Sequence, residues 1–488
     1  MHTLDILASL PLDRAAATPL FRQLYGQIKQ AILRGELVPG MQLPPTRVFG
    51  ERLGLSRQTI LNAYEQLMAE GYLSGTVGRG TFISAQLQAP PPAPSRAPMR
   101  PLSARGQAHA GAMGGTRYHE GKLRAFRVSM PGLDLFPFDV WSRLEARRWR
   151  HPDHHMGYSD PAGFAPLREL LCVYLRTARG VNCTPEQIII TSGSQQALYL
   201  LSMILLAPGD AAWVESPGYQ GASAPLFAAG ARVCTVPVDE EGMDVAYGAR
   251  HYPDAKLVFA TPSHQLPLGM TMSLQRRLAL LRWASARRAW IIEDDYDSEY
   301  RYTGPPLASL QSLDRDDCTI YVGTLSKVLF PGLRLGYIVA PKALAEPIVR
   351  AKAVLDRHNA IVPQMVLADF IAAGHFGRHI KRTREAYAER RLALLQGIER
   401  YLSDQLICGP SDAGLDLCVH FRGRHDEAAL TRAAFDAGID VRPLSYYRNR
   451  EATPACAVAP GLVLGFAAIT PDEIRRSTRL LAKVILHP

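Results

Sequence analysis

Two folded parts of different class are predicted from this 488-residue sequence: a small, mostly α-helical front with a β wing, and a large α/β body around a mostly parallel sheet. Three observations carry that division. Residues 1–84 read as short helices that end in a glycine-punctuated ribbon. APPPAPSRAPMRP (89–101) then interrupts the chain, and such proline-rich sequence is extended and packs no core. From about residue 125, short apolar runs alternate with amphipathic helical stretches, the pattern of a parallel sheet covered by helices. The expected boundaries are 1–84, a basic Pro/Gly/Ala-rich linker over 85–124, and 125–488.

Composition narrows the class. A 47% hydrophobic content is that of a folded globular chain. The net charge is +10, and residues 85–125 hold six Arg/Lys against one Glu, so the surplus lies toward the front. It serves solubility and polyanion binding equally well. Seven cysteines are scattered without a CxxC pair, which argues against a disulfide framework and a zinc site; no metal is expected. The start, MHTLDILASLPLDR, lacks the features of a signal peptide. The most apolar stretch, Ala197 to Ala207, is far below the ~20 residues of a membrane span. A cytoplasmic protein with no membrane partner is expected.

In the front, Leu20, Leu24, Ile28 and Ile32 form one apolar helix face, which Val38-Pro39-Gly40 ends. A second helix is predicted from about Thr46 to Leu53, Gly54 supplies a turn, and Ser56 is a natural N-cap for a third. Ile60, Tyr64 and Leu67 of that third helix face inward, leaving Arg57, Gln58 and Thr59 in its exposed first turn. Such a turn meets base edges and phosphates in a recognition helix. Gly78 and Gly80 then permit a tight hairpin with Arg79 at its tip, a wing for the minor groove. Any one of these arginines alone is a solvated surface residue. Taken in order, LPPTR, LGLSRQT, EGYL and GRGTF resemble the winged helix-turn-helix of the GntR superfamily. That resemblance implies contacts with double-stranded DNA by Arg47, Arg57, Thr59 and Arg79, with Gln58 reading a base.

In the body, Phe164–Arg179 reads as a helix, and Ile188–Thr191, Ala211–Val214, Leu257–Ala260, Ile291–Asp294 and Thr319–Val322 read as strands. Residues 323–337, GTLSKVLFPGLRLGY, supply a lysine amine between Thr324 and Arg334, the groups that a pyridoxal 5'-phosphate (PLP) aldehyde and phosphate require. IIEDDYDSEY (291–300) ends an apolar strand in acids; Asp294 suits a pyridinium nitrogen and Tyr296 a phenolic oxygen. Ser194 and Gln195, in TSGSQQAL, open a helix whose N–H groups suit a phosphate. Tyr219, in ESPGYQG, is available to stack on a ring, and His264, in TPSHQLPLG, lies near it. Tyr158 precedes the LRELL helix.

Singly, each is explained by packing or solvation, and the DDYD run equally by a metal site. Together they resemble the fold-type I, aspartate aminotransferase-like PLP family over residues 125–488. The resemblance implies Lys327 as the Schiff-base lysine, with Asp294 at the pyridine nitrogen and Tyr296 at the phenolic oxygen. It implies Ser194, Gln195, Thr324 and Arg334 at the phosphate, Tyr219 on the ring, and Tyr158 reaching the phosphate of a neighbouring subunit. Two positions depart from the family. His264 stands where an Asn is usual. The arginine that holds a substrate carboxylate is replaced, in GLVLGFAAI, by Val463. Arg442 is a substitute only if it leaves the exposed helix–strand loop expected for it.

The fusion of the two parts resembles the MocR-type, or GabR-like, regulators. That implies a homodimer, head-to-tail and domain-swapped, in which PLP itself or a small amine or amino acid alters DNA binding without net turnover. The competing readings are a working aminotransferase with an accessory DNA-binding head and a repressor with an empty, degenerate PLP fold.

Overall fold

The computed structural model describes residues 6–7, 11–76, 79–85, 100–112, 123–304 and 307–486. The chain divides into two compact units, Met1–Pro101 and Leu102–Pro488. Gly78 and most of the proline-rich stretch lie outside the described residues.

In the first unit, helix Leu20–Leu33 buries Leu24, Ile28, Ala31 and Ile32. The helix Thr46–Leu53 has the predicted bounds and ends at Gly54, whose φ of +63° is left-handed backbone that glycine adopts at no steric cost. The helix Arg57–Ala69 is capped by Ser56, whose hydroxyl accepts the Thr59 N–H at 3.1 Å. Its buried face is Ile60, Ala63, Tyr64 and Leu67. Strands β1 (Gln42–Leu43), β2 (Leu73–Thr76) and β3 (Gly80–Ile83) form an antiparallel sheet in the order β1-β3-β2. This is a winged helix-turn-helix.

The second unit is built on eight strands: β4 (Ile188–Thr191), β5 (Ala211–Ser216), β6 (Arg232–Asp239), β7 (Gly242–Met243), β8 (Leu257–Ala260), β9 (Trp290–Asp295), β10 (Thr319–Thr324) and β11 (Gly336–Val339). Their order is β4-β11-β10-β9-β8-β5-β6-β7. The neighbours from β10 to β6 pair in parallel, whereas β11 runs antiparallel to β10 and β4. The central strands are buried on both faces, as the continuous apolar runs require. Beyond this sheet, β12 (Leu406–Cys408), β13 (Asp416–Phe421), β14 (Arg442–Pro443) and β15 (Gly461–Gly465) form a four-stranded antiparallel sheet. It shares a core with the long helices His375–Leu402 and Pro471–Leu486.

Two features differ from expectation. Residues Ala104–Ala112, within the stretch read as linker, form a helix that packs on helix Gln220–Ala228. His109 there lies 3.2 Å from the Tyr199 hydroxyl. Arg442 is not in an exposed loop: it sits in β14, half-buried, directly across from Val463, with its guanidinium over the Tyr446 ring at 4.7 Å. The short strand forms because β15 offers it a free edge.

Candidate functional site

The C-terminal ends of parallel strands converge where the sheet order reverses, the usual place for a ligand in an open α/β sheet. There a cavity of about 230 Å³ is lined by Ser194, Gln195, Tyr219, Asp294, Tyr296, Thr324, Lys327 and Arg334, together with Ser129, Thr261, Leu266, Ser326 and Pro331. Eight of the ten residues expected to hold a cofactor thus meet in one space.

One end of the cavity is suited to an anion. Ser194 and Gln195 open helix Ser194–Leu205 after Gly193, and the first N–H groups of a helix have no partner within it. Gly193 has φ +108°, and a Cβ there would come within 3.3 Å of the Arg334 guanidinium. A Cβ on Gly336 would come 2.9 Å from Gly193 Cα, so both glycines permit the close approach of β11 to the turn. Thr324 is buried, and its hydroxyl accepts the Ser326 N–H at 3.2 Å. Arg334 is exposed and pairs with no acid among the described residues. Gln195 donates to the Gly221 carbonyl at 2.9 Å and accepts the Tyr219 hydroxyl at 3.3 Å, which ties the helix start to the aromatic ring.

Across the cavity, Lys327 Nζ donates to the Ser129 carbonyl at 2.8 Å. Burial lowers the Lys327 pKa below the usual lysine value, against the opposing pull of Asp416, Asp297 and Asp294. This favours the neutral, nucleophilic amine. Ser129 has φ +58°, strained for a residue with a side chain. Asp416 of β13 holds it there, accepting its N–H at 2.8 Å and its hydroxyl at 3.1 Å.

Asp294 is buried, and its Oδ1 has no hydrogen-bond partner among the described residues. Burial, then the neighbouring Asp295 and Glu215, push its pKa up to about 8. A buried unpaired carboxyl oxygen aimed at a cavity is costly unless something enters to meet it. A protonated pyridine nitrogen supplies that partner. The orphaned Asp294 oxygen, the uncommitted Arg334 and the glycine-cleared turn therefore fit PLP. Behind Asp294, Arg179 bonds Asp295 at 2.7 and 2.8 Å, and Tyr321 donates to the same carboxylate at 2.6 Å. Burial pushes Asp295 up, but Arg179 and these bonds prevail and hold it below the usual range. The strand end is thereby fixed.

Two expected residues do not line the cavity. His264 is buried behind Tyr296, whose hydroxyl lies 3.0 Å from His264 Nδ1, and is not among the lining residues. Tyr158 is 89% exposed, beside His358 and Arg357, and reaches nothing in the cavity of its own chain. Ser129, Thr261, Asp297 and Asp416 escaped the sequence reading. Ser129 contributes a backbone carbonyl, which has no residue-type signature. Asp297 was visible in the EDDYD run as a surplus acid.

In the first unit, Arg57 and Gln58 are exposed on the first turn of the third helix, and Gln58 donates to Asn62 at 2.7 Å. Arg47 is exposed and makes a loose surface pair with Glu51. Thr59 is half-buried and engaged with the Ser56 cap, hydroxyl to hydroxyl at 2.8 Å. Arg79 is exposed at the start of β3, where its carbonyl accepts from Gln42.

Comparison with known proteins agrees with this geometry. The family model "Aminotransferase class I and II" matches residues 135–476, and "Bacterial regulatory proteins, gntR family" matches residues 20–83. The probable rhizopine catabolism regulatory protein MocR of Rhizobium meliloti is 39% identical, covering 98% of this chain and 96% of its own. The HTH-type pyridoxine biosynthesis transcriptional regulator PdxR of Corynebacterium glutamicum is 33% identical, covering 96% and 97%. Among solved structures, the α-aminoadipate aminotransferase LysN of Thermus thermophilus, complexed with N-(5'-phosphopyridoxyl)-L-leucine, superposes with a TM-score of 0.67 at 27% identity. That match covers 79% of this chain and 95% of the aminotransferase. With one relative matched end to end and both halves assigned, the chain belongs to the MocR-type regulators, in which a gntR-family helix-turn-helix precedes a fold-type I aminotransferase domain.

Proposed function

We propose that the chain is a transcription regulator that reads double-stranded DNA with its first unit and binds PLP in its second, without net turnover. The observation that carries this reading is the joining, in one chain, of an exposed recognition turn at Arg57 and Gln58 to a cavity where Lys327 and the unpaired Asp294 face a common space.

PLP, when bound, supplies an electrophilic aldehyde and an electron-withdrawing ring. Lys327 carries the amine for that aldehyde. Asp294 would hold a proton at the pyridine nitrogen, and Tyr296 would donate to the phenolic oxygen. Ser194, Gln195, Thr324 and Arg334 would hold the phosphate, and Tyr219 would stack on the ring. The exposed ring of Tyr158 supports a homodimer in which it completes the partner's site, head-to-tail and domain-swapped as in the family. The signal is PLP itself or a small amine or amino acid. Its effect on DNA requires only that it bind two arrangements of the protein with different affinity. A cytoplasmic location follows from the DNA target.

The test is a gel shift on DNA from upstream of the protein's own gene, with PLP-free and PLP-loaded protein. Specific binding that differs between the two makes PLP the signal, and specific binding that does not differ directs the search to an amine. If Arg57 reads a base, Arg57→Ala should weaken the specific complex by roughly 1–3 kcal/mol; an equal loss on random DNA would make it a phosphate contact instead. Steady conversion of an amino donor and keto acid by the purified protein would overturn the regulator-only reading in favour of an aminotransferase.

A further inference from the structure

We infer that His264 and Asp297 form a positioning pair that fixes the direction of the Tyr296 O–H bond, so that Tyr296 donates into the cavity to an oxyanion there. The inference rests on the PLP reading above and deepens it. It concerns a tier of residues behind the cavity wall.

The geometry leaves little freedom. His264 Nδ1 lies 3.1 and 3.0 Å from the two carboxylate oxygens of Asp297 and 3.0 Å from the Tyr296 hydroxyl. His264 and Asp297 are both buried. A carboxylate only accepts hydrogen bonds, so Nδ1 must carry the proton. A protonated Nδ1 cannot accept from Tyr296. The tyrosine oxygen therefore lies on the acceptor side of this contact, and its own hydrogen turns elsewhere. Tyr296 lines the cavity, so that direction is the cavity.

The surroundings agree. Burial disfavours the imidazolium, but the Asp297 charge and hydrogen bond prevail and raise the His264 pKa. The other charged groups facing the pair are Asp416 and Arg301; Asp294 and Glu215 face Tyr296. Burial, with these acids, holds the Tyr296 hydroxyl well above the usual tyrosine value, so it keeps its hydrogen. The site is also cut to shape. Gly414 has φ +86°, and a Cβ there would stand 2.0 Å from His264 Cε1 and 2.9 Å from Asp297 Oδ2. Only glycine admits the imidazole against the acid.

The acceptor of matching chemistry is a phenolate, the ring oxygen of bound PLP. A donor fixed toward that oxygen stabilises its ionised form and lowers the pH at which the chromophore loses its proton. The experiment is a pH titration of the visible absorbance of the PLP-loaded full chain. It compares wild type, Tyr296→Phe, the double variant His264→Leu/Asp297→Asn, and the triple variant. The double variant removes both buried charges together and leaves no lone carboxylate. Tyr296→Phe and the double variant should each raise the midpoint by about one pH unit. The triple variant should go no further than Tyr296→Phe, because the pair acts through the tyrosine.

His264→Asn is the conservative control. Its amide N–H reaches the position of Nδ1, so its midpoint should stay near that of wild type. An unmoved midpoint in the double variant overturns the inference, as does an undiminished shift in the Phe background. So does a His264→Asn midpoint as high as that of the double variant. Wild-type protein that takes up no PLP fails differently: it removes the cofactor reading, and this inference with it.

Discussion

The two ends of the cavity are built by opposite rules. The end at Ser194, Thr324 and Arg334 is polar, cleared by glycine, and rich in hydrogen-bond donors with no acid to consume them. The other end is lined by Tyr219, Tyr296 and Leu266, and behind them lies a buried apolar cluster of Leu268, Cys418, Leu444, Tyr447 and Val463. Lys327 and Arg334 are the cations among the lining residues, and both are proposed to hold PLP. The first end offers what a phosphate needs, whereas the cluster behind the other holds Val463, which stands where the family resemblance expects a carboxylate-binding arginine. On the proposed reading, a site so divided would keep its prosthetic group and lack the clamp for an amino-acid substrate, which suits sensing better than turnover.

The largest expected effect is at the cofactor end. Lys327→Ala should abolish the visible absorbance of PLP-loaded protein and leave its fold intact, since among the described residues the lysine side chain bonds only the Ser129 carbonyl. An unchanged spectrum would falsify the assignment of the amine.

At the far wall the test runs the other way. Val463→Arg puts a cation into a fully buried position directly across from Arg442. An unpaired buried charge should cost about 3–5 kcal/mol, read as a lower denaturant midpoint. Removing the facing like charge with Arg442→Ala should recover at most about 1 kcal/mol of it. A stable Val463→Arg protein that binds amino acids more tightly would break the comparison, because it would mean that the wall opens on the ligand.

How far the sequence could be read follows the same divide. Features set by neighbours in the chain were legible: the bounds of Thr46–Leu53, the Gly54 turn, the Ser56 cap and the five predicted strands. That Lys327, Asp294 and Tyr296 would meet in one space was legible too, because each is a distinctive side-chain type at or near a recognisable strand end. The four-stranded sheet was not. β12 and β14 have only three and two residues, too short to show an alternating pattern. Ser129 and Asp416 meet across 287 residues. His264 was read as a ring neighbour because its type and position said so. Only packing, with Asp297 behind it, keeps it out of the cavity lining. The helix Ala104–Ala112 was hidden by its Gly/Ala-rich composition, and it forms where it can rest on Gln220–Ala228.

The last effect is read as a slope against pH and lies between the two ends. Asp294 in the PLP-free protein has its pKa raised to about 8, first by burial, whereas an unfolded Asp titrates near ~3.9. Between those values the folded state holds a proton that the unfolded state has lost. Stability therefore falls as pH rises through this window, by at most about 1.4 kcal/mol per pH unit for one group, and levels off above it. Glu215 and Glu293, pushed up to about 7 by burial, act in the same direction, so the wild-type decline belongs to several carboxyls. The difference between wild type and Asp294→Asn isolates one of them. Asp294→Asn should flatten the fall in denaturant midpoint between pH 5 and 8, and PLP should flatten it in wild type by giving the carboxylate a cationic partner. If PLP flattens the curve of Asp294→Asn equally, the ring nitrogen does not face Asp294.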